Sequence, residues 1–339
     1  VIEKISCLNN TFSKSPLILE QIMKWHFFWQ FDRRRTPVLT VVLPVCLGAI
    51  AIGCTVAPGK APQSDAAPAV VSAATQPLQV AVIPWQSQEQ QQAKLQPLAD
   101  YLQKVLNRPV GFQITKDYAA AVEAIVNGEV DMAYLGAVTY IKARERKASI
   151  QPIVLPIDET TGRPWYTSVI VANADKGINS LQDLKGKRFA FVSPSSTSGF
   201  LLPLDALLKQ GIDPTRDFPG IRYSGSHDKV GEDLVKGVVD AAADDKATFL
   251  RSLKEGKIPA HYKIIWESDP LPAPPIVINT EKFSPETIAQ LQQAFIDAPM
   301  GVVDVTGTKS AGYTLGKDSD FEAVRQIYLR LKSVTVAAK

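Results

Sequence analysis

The chain has 339 residues, room for one large domain or two ordinary ones, with 37 Lys and Arg against 34 Asp and Glu. The excess of base lies at the front: residues 1–53 hold six basic and three acidic side chains, and the remainder holds 31 of each. A body so close to neutrality lacks the bulk positive field of a nucleic-acid-binding protein. With cysteines at positions 7, 46 and 54 alone, it also excludes a disulfide framework or a cysteine metal site past residue 54.

The first residue is Val1, and Met23 offers an alternative start. From there Arg33, Arg34 and Arg35 precede an apolar run from Val38 to Gly53, the layout of an export signal. The run is short for a membrane span of about 20 residues; a retained N-terminal anchor helix is the other reading. Its end, Ala51-Ile52-Gly53-Cys54, is similar to the lipobox of bacterial lipoproteins, in which the cysteine is lipidated and becomes the first mature residue; Ala51 stands where leucine is more usual. Residues 1–53 are therefore expected to be an export signal and Cys54 a lipidation site. Residues 54–77, rich in Ala, Pro and Ser, are expected to tether a folded body to the membrane.

From Leu78 onward short β-like runs alternate with helical patterns, the signature of an α/β fold. "LQVAVIP" is the first strand, and Leu95, Leu98, Leu102 and Leu106 then recur at helical spacing. "VGFQIT", "VDMAYL", "IQPIVLP", "WYTSVIVAN", "RFAFVS", "GIRYS", "VVDAAA", "YKIIW" and "PIVIN" follow as strands, and helices near Pro285–Ala298 and Asp320–Lys332 close the chain. Residues 111–136 align without a gap over residues 220–245, 109 positions on, with seven identities that include Gly128/Gly237 and Asp131/Asp240. Each unit reads strand, helix, glycine stop, strand, the glycine serving as a C-cap. Common α/β grammar would give such a match by chance; two similar lobes facing one another would give it by design. In that frame Tyr118 matches His227, both near a helix start, while Tyr134 and the Asp244–Asp245 pair end the following strands. Ligands of open α/β sheets bind beyond the carboxyl ends of the strands, so these side chains converge.

Between the two units lies "SPSSTSGFLLPLDALLK", Ser193 to Lys209, with hydroxyls at 195, 196, 197 and 198 ahead of an apolar helical run. One capping hydroxyl suffices to start a helix. The others are either spare polar residues in a turn or donors to an anion at the helix start.

The strings "DYAAAVEAIVNGEVDMAYLG", "LQDLKGKRFAFVSPSSTSGFLLP" and "SHDKVGEDLVKGVVDAAADD" resemble the periplasmic phosphonate-binding proteins of ABC transporters, the PhnD type, with their phosphite-binding relatives. The resemblance runs from about Leu78 to Lys332 and is most specific at S-T-S-G-F-L-x-P. It implies a two-lobe class II periplasmic binding protein fold with a ligand cleft between lobes, residues 78–165 and 270–339 forming one lobe and 166–269 the other. It implies that Ser196, Thr197 and Ser198 hold the oxygens of the ligand, that His227 contacts the same group, and that Tyr118 and Tyr134 line the pocket. Two departures stand out. The family often carries two aromatics where this chain has Tyr134-Leu135. The acids that hold the ammonium of aminoethylphosphonate align with Ala247 and Pro274, which cannot pair a cation. A ligand without an amine, phosphite or methylphosphonate, follows from that register, with Asp245 placed to accept a hydrogen bond from an acidic P–OH.

The expected protein is thus a lipid-anchored, periplasmic oxyanion-binding partner of an ABC permease, with no cofactor and no metal. A binding protein for phosphate, sulfonate or sulfate is the near alternative, and a sensor lobe serving a membrane partner is another. A hydrolase using Ser198 or Ser196 with His227 as base is the rival from another class. No G-x-S-x-G elbow, Walker motif or metal-spaced His/Cys set in the body supports it.

Overall fold

The computed structural model describes residues 76–302, 304 and 309–337. The export signal expected over 1–53, Cys54 and nearly all of the tether lie outside them. Thirteen strands in the described residues form two large sheets and a small one.

The first sheet is led by β1 (Leu78–Val82), followed by α1 (Gln88–Leu106), β2 (Val110–Ile114), α2 (Tyr118–Asn127), β3 (Met132–Tyr134), α3 (Ala137–Arg146) and β4 (Ile150–Asp158). Leu78, Val80, Ala81 and Val82 are wholly buried, as expected of a central parallel strand covered on both faces. The chain then leaves through β5 (Trp165–Tyr166) for the second sheet. This sheet is built from β6 (Ser168–Asn173), β7 (Phe189–Phe191), β8 (Ile221–Tyr223), β9 (Ala241–Asp245) and β10 (Tyr262–Glu267), with α4 (Leu202–Lys209), α5 (His227–Val235) and α6 (Lys246–Lys254) between them. It returns through β11 (Leu271–Pro272) to β12 (Ile276–Asn279), α7 (Pro285–Ile296), β13 (Ser310–Leu315) and α8 (Glu322–Ala337). The sheet orders are β13-β4-β12-β3-β1-β2 and β10-β6-β9-β7-β8. The outgoing and returning connections meet: β5 and β11 pair antiparallel, Tyr166 opposite Leu271.

The internal repeat is visible in three dimensions. β2–α2–β3 wraps β1 as β8–α5–β9 wraps β7, all in parallel pairing. Asp117 caps α2 and Ser226 caps α5, and both helices end at a left-handed glycine, Gly128 (φ 76°) and Gly237 (φ 65°). Asp131 exchanges backbone bonds with the strand beside it: its N–H donates to Gln79 O (3.0 Å) and its carboxylate accepts from Gln79 N (3.0 Å). Asp240 repeats this with Arg188, at 2.9 Å and 3.0 Å. The shared aspartate fixes strand register in both units.

Two details differ from the sequence reading. The run after Ser196 does not begin as an α-helix: Thr197–Leu201 form a π-turn, Leu201 N–H donating to Ser196 O at 3.1 Å, and α4 begins at Leu202. β13 was not expected; a glycine at φ 116° and a register shift break its pattern.

Candidate ligand cleft between the two sheets

The π-turn concentrates the hydroxyl run. Val192 N–H donates to Gly199 O at 2.9 Å, which lays the turn against the end of the β7 strand; a Cβ on Gly199 would lie 2.3 Å from Val192 Cγ2. Only glycine permits that approach. Ser196, Thr197 and Ser198 are buried to 2 % exposure or less. Two of them already accept backbone bonds: Gly199 N–H donates to Ser196 Oγ (3.0 Å), and Val138 N–H of α3, on the opposite side of the cleft, donates to Thr197 Oγ1 (3.0 Å). A hydroxyl that accepts in this way keeps its own proton to donate. The Ser198 hydroxyl is buried with no hydrogen-bond partner, although its carbonyl accepts from Ser168 Oγ at 2.7 Å. Ser195 turns outward to meet Lys142 Nζ at 2.9 Å.

His227, the first residue of α5, is fully buried. Its Nδ1 lies 2.6 Å from Asp244 Oδ1 and 3.3 Å from Asp245 Oδ2, whereas Nε2 has no partner. The ring stacks on Trp85 with centroids 4.3 Å apart, and its backbone N–H donates to Trp85 O at 3.1 Å. Trp85 leaves the first sheet directly after β1, so this stack crosses the cleft. Its indole N–H is shared between Asp245 Oδ2 (3.2 Å) and Thr248 Oγ1 (3.1 Å). Burial opposes a charged imidazole, but the Asp244 bond and the charges of Asp245, Asp244 and Asp228 together hold the His227 pKa above its ordinary value. Burial likewise pushes Asp244 up, to about 6, against the pull of His227.

Tyr118, the first residue of α2, is buried beside Ser196 with no hydrogen-bond partner for its hydroxyl. Tyr166 of β5 lies beside Ser198, Thr197 and Asp245. Burial raises the pKa of both phenols, so they stay protonated donors. Tyr134 is fully buried at the end of β3, near Tyr313, and its carbonyl accepts from Ile83 N at 3.3 Å on the path to Trp85. Of the residues singled out from sequence, Ser196, Thr197, Ser198, Tyr118, His227 and Asp245 thus come together; Tyr134 lies beside Tyr313 instead. Sequence reasoning missed Tyr166, passed over Trp85, and placed Asp244 at the cleft without assigning it to His227.

A small pocket adjoins this cluster, lined by Pro156, Asp158, Trp165, Tyr166, Asp245, Ala247, Ala273, Pro274 and Asp304. Ala247 and Pro274 are on its wall, and Asp158 and Asp304 bring carboxylates that the register did not include. His227, Asp244 and Asp245 offer ligand atoms within 4.8 Å of one another. Their geometry is that of a hydrogen-bonded relay instead of a metal centre: Nδ1 is at hydrogen-bond distance from Asp244, and the oxygens of Asp245 already accept from Trp85 and from Thr248 N (2.8 Å).

Comparison with known proteins agrees with this architecture. The family model for the phosphonate periplasmic substrate-binding proteins of ABC transporters matches residues 80–321. The chain is 29% identical over 269 residues to the "Phosphate-import protein PhnD" of Mycolicibacterium smegmatis, covering 73% of this chain and 84% of that one. It is 29% identical over 199 residues to a probable phosphite-binding protein, PhnD1, of Prochlorococcus marinus, covering 56% of this chain and 65% of the other. Among solved structures, a binding component of an ABC phosphonate transporter from Pseudomonas aeruginosa superposes with TM-score 0.69 at 23% identity, over 78% of this chain and 89% of that one. The Prochlorococcus PhnD1 complex with methylphosphonate gives 0.68 at 24%, over 76% and 98%. The fold is the two-lobe class II periplasmic binding protein fold.

Proposed function

Because the chain belongs to the phosphonate family of periplasmic substrate-binding proteins of ABC transporters, we propose that it captures a small phosphorus oxyanion, phosphite or an alkylphosphonate such as methylphosphonate, and presents it to the membrane permease. It is a binding component, not an enzyme, as its relatives are. The observation that carries the oxyanion reading is that three of the buried polar atoms without protein partners belong to this cluster: Tyr118 hydroxyl, Ser198 hydroxyl and His227 Nε2. They come from three separate elements, and each sits in a site from which water is excluded. A buried donor left unsatisfied costs about 1–3 kcal/mol, and an acceptor with several lone pairs, an oxyanion, relieves all three at once with charge-assisted bonds. Ser196, Thr197 and Tyr166 add donors, and Asp245 accepts from a protonated P–OH.

The lobes divide near the paired crossovers, 78–165 with 270–339 and 166–269, and ligand binding holds them together. Cys54 carries the lipid and residues 54–77 the tether that keeps the body at the periplasmic face of the membrane. Asp158 and Asp304 favour a second reading. With Asp245 they ring the pocket next to the donors, and an aminoalkylphosphonate would direct its ammonium there.

Titration calorimetry with phosphite, methylphosphonate, aminoethylphosphonate, phosphate and sulfate separates these readings. Tight binding of phosphite or methylphosphonate with much weaker aminoethylphosphonate is expected. Preference for aminoethylphosphonate selects the second reading, and preference for sulfate or phosphate removes the phosphonate assignment.

A further inference from the structure

We propose that capture of the anion is coupled to one proton held by the His227–Asp244 pair, with Asp244 the positioning residue that decides what the other ring nitrogen presents to the ligand. The inference rests on the oxyanion reading above and goes beyond it. His227 Nδ1 lies 2.6 Å from Asp244 Oδ1, while Nε2 is buried without a partner. Asp244 Oδ1 also accepts from Asp245 N at 2.8 Å, which fixes the carboxylate against the ring.

A neutral imidazole has one N–H. If that hydrogen lies on Nδ1 and is donated to an ionised Asp244, Nε2 carries a lone pair and repels an oxyanion. For Nε2 to donate, the pair must hold one more proton, either as imidazolium beside carboxylate or as neutral imidazole accepting from a protonated Asp244. In both forms the pair is neutral overall. The proton comes from solvent, and the anion then receives Nε2–H. Without it, an anion would enter a buried site holding two carboxylates, Asp244 and Asp245, and no compensating cation on the ring.

The groups facing the ring bias it toward holding that proton. Asp244 and Asp245 approach from the end of β9, Asp228 from the ring's own helix, and Trp85 covers one face from across the cleft. Tyr118 faces both carboxylates and Tyr166 faces Asp245, each as a neutral phenol. Asp228 is itself tied to Arg251 at 3.5 Å, with Lys94 and Lys257 acting on it. The pKa of His227 is raised before any anion is present, and an anion at Nε2 raises it further. The sign follows: affinity is full below the ligand-free pKa of the pair and falls as pH rises toward its ligand-bound value, by about tenfold per pH unit in that window.

The test uses the whole chain labelled with ¹⁵N-histidine, with phosphite and methylphosphonate as probes. Saturation with phosphite at pH 8 is expected to give His227 the ring signature of an imidazolium, or of an Nε2–H imidazole bonded at Nδ1. The titration midpoint is expected to move up by at least one pH unit. Asp244→Asn replaces the carboxylate with an amide that donates to Nδ1, leaving Nε2–H on a neutral ring. It is expected to bind phosphite more weakly at pH 6 yet with a flattened pH profile relative to wild type. His227→Gln, which keeps a neutral donor, should flatten the profile in the same way if Asp244→Asn fails to fold. The ligand's own ionisation contributes equally to wild type and variants, so the difference isolates the pair. Parallel pH profiles in all three proteins, or an Nε2 lone pair in the complex, overturn the coupling while leaving the oxyanion reading intact. Absence of binding by either probe overturns both.

Discussion

Ser198 and Gly199 are adjacent, and they pull stability and function in opposite directions. The Ser198 hydroxyl is buried and lacks a partner, so removing it from the ligand-free protein relieves an unsatisfied group. Ser198→Ala is expected to leave thermal stability unchanged or slightly raised. Oxyanion affinity should fall about tenfold to a hundredfold, the worth of a hydrogen bond to a charged acceptor. Calorimetry alongside a melting curve checks both; a destabilised variant of full affinity would show that the hydroxyl is structural. Gly199 is the converse. A Cβ there would meet Val192 Cβ at 2.5 Å and Ser196 Oγ at 2.9 Å, so the π-turn would have to lift away from the end of β7. Gly199→Ala should cost about 1–3 kcal/mol, the usual penalty of overpacking, and should take the hydroxyl cradle with it. A urea midpoint indistinguishable from wild type would mean that the turn yields more easily than its contacts imply.

Among elements, the repeated strand–helix–strand unit shows which structure was legible in the sequence. The offset match of residues 111–136 over 220–245 located both units, their glycine stops and their shared aspartate, because those features are local: a period, a cap, a turn. Asp240 shows what that aspartate does. Its carboxylate accepts from Arg188 Nε and Nη2 at 3.0 and 2.8 Å and from Lys176, and these bonds, led by Arg188, outweigh burial and hold its pKa well below the ordinary range. A depressed carboxylate lends stability that is complete above its unfolded pKa, near 4, and is lost as pH falls through the folded value. Asp240→Asn is expected to cost about 1–3 kcal/mol at neutral pH, between the exposed-pair and buried-pair ranges because Arg188 and Lys176 are half-exposed. Acid denaturation should show the variant's deficit shrinking below pH 4; a constant deficit down to pH 2 would mean that the bonds are not what stabilises. Tyr166 was not legible because nothing near it in sequence marks it. It joins the site through a two-residue strand paired with Leu271, more than a hundred positions away. The role of Asp244 was hidden for a similar reason: the adjacent acids read alike until the strand order put β9 beside the start of α5 and chose which of them bonds Nδ1.

At the scale of the whole molecule, several contacts cross the cleft. Thr197 Oγ1 takes Val138 N–H, Ser195 takes Lys142, Arg330 of α8 reaches Asp205 of α4, and Trp85 takes the His227 backbone and stacks on its ring. Of these, Thr197 is itself a proposed donor to the anion, while Trp85 reaches the site through the His227 ring and Asp245, which makes it the natural coupler between capture and closure. A ligand shifts the open–closed balance only by its differential affinity for the two forms, so a contact made solely on closure registers as ligand affinity. Trp85→Phe keeps an aromatic face for His227 and removes the indole N–H that Asp245 and Thr248 share. Losing a donor to a buried carboxylate costs about 2 kcal/mol, which corresponds to roughly thirtyfold in Kd. The melting temperature of the ligand-free protein should change far less than the affinity. Small-angle scattering supplies the independent reading: wild type should contract on adding saturating phosphite, and Trp85→Phe should need correspondingly more phosphite to reach the same contraction. If the variant contracts at the wild-type concentration, the indole is a wall of the site and closure is driven by the other crossing contacts, with Thr197 and Val138 the first to substitute.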